Sequence, residues 1–496
     1  MLAETSSFTL DGIAARMVRV EVDVHRGLPH FQIVGLPDAA VREARERVRA
    51  AVVNCGFEFP LQRITASLAP ADLRKAGPAI DLALATALLG ASGELSIGPL
   101  ADWSLVGELA LDGTVRPVRG ALAMAEAARE AGHAGVLVPV ANGPEAALAE
   151  GIQVRTIENF AELARLREGR VPGNPASPTE PRWIEDQPDL ADLRGQGHLR
   201  TAVELAAAGG HGLLMVGPPG AGKSLAARRL PSVLPPLEGE EVLEVARIAS
   251  ACGLGDGTIT SVRPFRAPHH TVSAAGLVGG GSPPRPGEIT LAHRGVLFLD
   301  ELCEFSRPAL EALREPLETG AVTISRASGR QTLPCRFTLV AAANPCPCGR
   351  GEDDPACRCS ELAARRYRAA LSGALVDRID LVVAVKQPTA EALAGPAGES
   401  SAVVRERVAA ARELMAERLG PGRTNGEAGP EEVARFEVTA AAATLLSEAH
   451  ESWKLSGRAH GRILRVARTA ADLEGAAAIG EGHMAMAMQF RRRTER

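Results

Sequence analysis

At 496 residues, 46% of them hydrophobic, the chain is long enough for about two to four domains with well-filled interiors. Its formal charge of −5 excludes nucleic-acid binding by bulk basicity, and leaves local basic clusters or a positively lined channel in an oligomer as the ways to hold such a ligand. The amino terminus has no basic stretch followed by an apolar core, and no uncharged stretch reaches membrane-spanning length, so a soluble cytoplasmic protein with no membrane partner is expected.

Over residues 1–170, strand-like runs (Met17 to Val24, Gly135 to Val140) alternate with helical ones (Asp38 to Val53, Ala121 to Ala131), which predicts an α/β or α+β domain. Val171 to Pro181 holds four prolines in eleven residues and little that packs, which predicts a linker over 171–188. A P-loop region follows from Asp189 to about 387. Beyond Pro388 the chain turns helical: Ser401 to Leu419, Thr439 to Glu448 and the Arg-rich run Gly457 to Leu473, giving a helical region over 388–496.

The apolar run Leu213 to Val216 leads directly into Gly217-Pro218-Pro219-Gly220-Ala221-Gly222-Lys223-Ser224, a P-loop in the strand-to-helix context that such loops need. The glycines let backbone N–H groups curl toward phosphate oxygens, and the following helix adds its positive end. Lys223 is expected to reach the β- and γ-phosphates of ATP, and Ser224 to ligate Mg²⁺. Val296 to Leu299 is a second buried strand, ending in Asp300 and Glu301. The first acid would hold the Mg²⁺ shell and the second would polarise the attacking water, whereas the bland alternative is a strand ending in solvated acids.

A third apolar run, Phe337 to Ala343, ends at Asn344, where a polar γ-phosphate sensor would stand; alone, an asparagine ending a strand is a turn former. Arg378, in LVDRIDL, is a candidate arginine finger toward a neighbouring subunit, with an ion pair to Asp377 or Asp380 as its structural alternative. Arg458 is the candidate second sensor, with Arg462 one turn later as its rival and a solvated helix face as the alternative for both. The order of these positions predicts an AAA+ type ATPase that uses ATP and Mg²⁺.

Cys346, Cys348, Cys357 and Cys359 fall within fourteen residues, two pairs flanking a loop that contains Gly349, Gly351 and Pro355. Four thiolates can close a tetrahedral shell around Zn²⁺, although pairs in such sites usually have at least two intervening residues. Reduced cysteines that are simply buried, and a redox-labile cluster, stand as alternatives. A metal there, so close after Asn344, would support the sensor loop.

Together with PFRAPHHTVS (Pro264 to Ser273), GLVGGGSPPRPGEITLAHRGVLFLDELCEF, LVAAANPCPCG and SGRAHGRILRVARTAADLEG, these motifs resemble the ComM/YifB family of magnesium-chelatase-like AAA+ proteins over essentially the whole chain. The resemblance implies an α/β fold: an AAA+ P-loop core over 189–387 with a helical lid over 388–496, preceded over 1–170 by a Lon-protease-like α+β domain. It implies two pore devices, an insertion over Gly276 to Arg294 and a β-hairpin over Val322 to Pro334. Arg326 and Arg330 flank the hairpin tip and would meet DNA phosphates in a hexamer's channel; a solvated hairpin without a ligand is the alternative. Lon-type proteases carry a serine after Gly-Pro and a lysine after a later glycine. Here Ala79 and Leu122 fall in those places, so neither nucleophile nor base can form.

The function so implied is an ATP-driven, ring-shaped DNA motor. It would be a homohexamer acting as helicase or branch-migration factor on branched, single- or double-stranded DNA, in recombination during natural transformation. A magnesium-chelatase-type subunit driving metal insertion and a nucleotide-dependent regulator are the alternatives. Chelatase subunits are expected to match only the core and lid, so the N-terminal domain and the cysteine insertion favour the DNA motor.

Overall fold

A computed structural model describes residues 1–254, 258–281, 285–326, 329–351, 355–370 and 375–491, without side chains at 326, 329 and 368–370. The chain divides into two compact units, the first built on Met1–Arg182 with Glu238–Thr260, the second on Trp183–Leu237, Ser261–Gly281 and Gly287 onward. Among the described residues no helix is long and apolar enough to cross a membrane.

In the first unit, Ala14–His25 alternates strictly, burying Val18, Val20, Val22 and Val24 on one face, the period-two pattern of a strand with one wet side. It pairs antiparallel with Leu2–Asp11 and with Arg63–Ala69, in an eight-stranded mixed sheet. Ala39–Asn54 is a helix whose cap, Asp38, accepts from the Val41 amide at 2.9 Å. Ala79 and Leu122, expected from the Lon-like resemblance to stand in the places of a serine and a lysine, are both buried in one apolar cluster with Phe8 and Val136.

Two boundaries differ from the expected ones. Asn174–Pro175 forms an edge strand against Arg155 and Thr156, so the Pro-rich segment starts inside the first unit's sheet; an edge tolerates Pro175 because no ladder donor is needed there. Its far end is anchored in the second unit, where the Arg405 guanidinium lies 4.6 Å from the Trp183 ring centroid. Residues 171–188 thus span the change from the first unit to the second, between Arg182 and Trp183. The helix Glu240–Cys252, inside the expected 189–387 core by position, packs in the first unit. There Arg247 forks onto Glu126 at 2.8 and 2.7 Å, and Gly120 donates its amide to the Ser250 carbonyl.

The second unit holds an all-parallel sheet in the order Phe265–Arg266, Val296–Leu299, Thr338–Ala343, Leu213–Val216, Leu381–Ala384. LLMV, VLFL and TLVAAA are continuous apolar runs because strands covered on both faces need no polar side. The helices Gly197–Gly209 and Lys223–Val233 share one core with the sheet and with the C-terminal helices Ser401–Leu419 and Gly457–Leu473. This is a mixed α/β, parallel-sheet architecture with a helical C-terminal region.

Candidate nucleotide site

In an open parallel sheet, ligands bind beyond the carboxyl ends of the strands, where connections leave in opposite directions. The strand Leu213–Val216 lies at such a point, with Thr338–Ala343 on one side and Leu381–Ala384 on the other. The cleft at its end has a volume of about 470 Å³ and is lined by Pro219 to Leu225, Asp300, Glu301, Ala343 and Asn344. That volume suits a nucleotide-sized ligand.

Local backbone requirements explain the loop's glycines. A side chain at Gly217 would collide with the Val385 carbonyl oxygen, while Gly220 and Gly222 sit at φ 76° and 92°, in the left-handed region. Outside the loop, Gln387 and Gln196 donate to the carbonyls of Pro219 and Ala221, each at 3.1 Å, and so hold its shape.

Lys223 opens the helix and is buried. Its ammonium donates to the Gly217 carbonyl, to the Pro218 carbonyl at 3.0 Å and to Asn344 Oδ1 at 3.1 Å. Burial pulls its pKa down, and Asp300 and Glu301 oppose that pull. The Ser224 hydroxyl donates to Asp300 Oδ2 at 2.8 Å. A hydroxyl and a carboxylate so placed are hard oxygen donors of the kind Mg²⁺ takes beside phosphates and water, so the residues fit that ion.

Glu301 holds a left-handed conformation, φ 52° and ψ 51°, unusual for a residue with a side chain and most often retained where a site needs it. Its Oε2 lies 3.3 Å from His270 Nδ1, and the His270 ring packs against His269 and Phe305. His270 was not singled out from sequence; the only signal was its place in PFRAPHHTVS. Tyr367, the only tyrosine in the chain, was missed as well. Burial beside Cys303 pushes its hydroxyl upward, and it lies in hydrogen-bond contact with the Asn344 backbone.

The structure thus brings Gly217 to Ser224, Asp300, Glu301 and Asn344 together. Arg378 and Arg458 are not among the residues lining the cleft. Arg378 pairs with Glu318 (Nε to Oε1, 3.0 Å), whereas Asp380 is engaged by His211 at 2.9 Å and Arg462 at 3.6 Å. Arg462 is therefore buried in a packing network, and burial lowers its pKa. Arg458 is exposed in the first turn of its helix.

The sulfurs of Cys346, Cys348, Cys357 and Cys359 converge, all within 4.8 Å of one another. The hairpin Ala321–Arg326 and Gly329–Pro334 forms in register Arg326 to Gly329, with Arg330 exposed. The Arg326 side chain and Ala327-Ser328 lie outside the described residues.

Residues 189–393 match the family described as magnesium chelatase, subunit ChlI. Residues 20–142 match subunit ChlI of Mg-chelatase, and 398–491 match the ChlI C-terminal region. The chain is 46% identical over 496 residues to a protein of Mycobacterium tuberculosis, covering 99% of this chain and 98% of that one. It is 41% identical to YifB of Escherichia coli over 97% of this chain and 95% of that one. Identity to the competence protein ComM of Haemophilus influenzae is 39%, over the same shares of the two chains. With the P-loop, the acid pair and the parallel sheet in place, the chain belongs to the YifB and ComM branch of the magnesium-chelatase-like AAA+ family.

Proposed function

We propose that this AAA+ ATPase is a ring-forming motor that couples ATP hydrolysis to movement on branched, single- or double-stranded DNA in the cytoplasm, as helicase or branch-migration factor in recombination during natural transformation. The observation that carries the ATPase half is the pairing of Lys223 with Asn344 and of Ser224 with Asp300 at the mouth of one cleft. Lys223 and the loop amides bind the β- and γ-phosphates, and Asn344 fixes the γ-phosphate's orientation. Glu301 accepts the proton of the attacking water, held in place by His270. Mg²⁺ bound with ATP would neutralise phosphate charge. Arg378 and Arg458 act as finger and second sensor, completing sites at subunit borders in a homohexamer.

The DNA half is supported by the name of the competence relative and by the exposed Arg330 on a two-stranded hairpin. In a six-membered ring Arg326 and Arg330 would supply about twelve guanidinium groups to one channel. Residues 1–170 serve as a non-proteolytic, Lon-like assembly or guide domain. The chelatase reading retains weight, because the matches at 20–142 also carry a chelatase description and this domain does not separate the two.

The test is ATP turnover of the full chain alone, with four-way or forked DNA, and with a magnesium–porphyrin precursor system. Stimulation by DNA that is lost in Arg326→Ala/Arg330→Ala, with basal turnover kept, is the expected result. Stimulation by the porphyrin system alone would replace the DNA reading with the chelatase one.

A further inference from the structure

Directly after Asn344, Cys346-Pro-Cys348 and Cys357-Arg-Cys359 bring four sulfurs to one point. Cys346 to Cys348 is 3.3 Å, Cys346 to Cys357 is 3.8 Å and Cys348 to Cys357 is 3.6 Å. Zn–S bonds of ~2.3 Å in a tetrahedron set sulfur-to-sulfur edges of ~3.8 Å, whereas a disulfide needs ~2.05 Å. The separations gather around the first value, and all four cysteines are free.

The surrounding backbone is arranged for sulfur ligands. The Gly351 amide donates to Cys346 Sγ at 3.2 Å, and the amides of Arg350 and Arg358 face Cys348. Amides aimed at sulfur stabilise thiolate charge and orient ligands around a metal. Gly349, at φ 83°, and Gly351, at φ 93°, supply the reversals that let cysteines only one residue apart turn toward a common centre.

We propose that these four thiolates hold one Zn²⁺ ion, and that the resulting knuckle fixes the nucleotide sensor against the P-loop. Two contacts support the second half. At one end of the segment Asn344 bonds Lys223; further along, Gly349 lies so close on Pro219 that a Cβ there would stand 2.8 Å from Pro219 Cδ. The ion closes the loop between these contacts, and the thiol protons it displaces pass to solvent. The positioning half rests on the ATP-site reading above. The metal site itself does not.

The experiment is elemental analysis of the full chain purified without added metal, together with mercurial titration of its thiols. About one zinc per chain is expected, released in step with modification of four thiols and falling below about a tenth in Cys348→Ser/Cys357→Ser. A folded wild-type chain with neither zinc content nor zinc uptake overturns the site. So does iron in zinc's place, or disulfides linking the four cysteines. Because the double variant can misfold, the wild-type release titration stands independently of it. For the positioning half, zinc-stripped wild type should bind ATP about tenfold more weakly, with ADP affinity little changed and recovery on zinc return; unchanged ATP affinity after stripping overturns that half. A zinc-bearing chain that hydrolyses no ATP would instead sink the ATPase reading.

Discussion

Lys223 and Glu301 face the same cleft but act at different stages, and their substitutions should separate. In the proposed ATPase Lys223 meets phosphate in the ground state, so Lys223→Ala should abolish most ATP binding. Glu301 is there proposed to act on water in the transition state, so Glu301→Gln should keep binding and lower turnover about 10²- to 10³-fold. Equilibrium binding of a fluorescent ATP analogue beside steady-state hydrolysis checks both, and normal hydrolysis in Glu301→Gln would remove that residue from the site. His270 extends the argument by one contact. At 3.3 Å from Glu301, and not among the residues lining the cleft, it is placed to orient the carboxylate, so His270→Ala should lower kcat about tenfold and leave KM nearly unchanged, with partial recovery in His270→Gln. A rise in KM with constant kcat would give His270 a binding role instead. The P-loop and the acid pair were legible because their spacing is local. His270 was not, because it meets Glu301 only once Phe265–Arg266 pairs with Val296–Leu299 in the sheet.

Strands and helices were legible where burial follows a simple period, as in Ala14–His25 or the apolar runs of the parallel sheet. Polar contacts between distant elements hid the rest. The helix Glu240–Cys252 reads as part of the ATPase core from position alone, and its Arg247 fork onto Glu126 crosses more than a hundred residues. The C-terminal helices carry a comparable device with a measurable titration. Arg423 grips Glu432 at 2.9 Å through its second nitrogen, the Gly429 amide adds a bond at 2.7 Å, and the carboxyl is held down at about 2 against an ordinary 4.5. A depressed folded-state value means that the unfolded chain binds the proton more readily, so the pair stabilises fully above pH 4.5 and loses that contribution as pH falls toward 2. Wild type should therefore lose Tm faster than Glu432→Gln between those values, and the two should differ most at neutral pH. Parallel pH–Tm curves for the two proteins would show that the pair contributes nothing, as exposed pairs often do.

At the scale of the whole molecule, the cleft as lined by the described residues of one chain contains Lys223, Asp300, Glu301 and Asn344, but among those residues no arginine that would meet charge building on a γ-phosphate. Asp380, one structural partner considered for Arg378, is taken by His211 and Arg462, and Arg378 turns to Glu318. A residue placed outside its own cleft can serve a neighbour's when subunits meet head to tail in a closed ring. In the proposed ring each active interface would then need Lys223 from one subunit and Arg378 from the next. Arg378→Ala alone should lose about 10³-fold in turnover, and Lys223→Ala alone should be inactive. In an equal mixture that exchanges subunits freely, about one interface in four pairs an intact Lys223 with an intact Arg378, so roughly a quarter of wild-type turnover should return. Native mass spectrometry establishes that mixed rings form, and hydrolysis is read on the same sample. A purely structural Arg378–Glu318 pair predicts a different pattern: Glu318→Ala would be as damaging as Arg378→Ala, and no mixture would recover. With a trans finger, Glu318→Ala retains turnover because the guanidinium remains, and mixing it with Lys223→Ala supports hydrolysis at least as well as the Arg378→Ala mixture does.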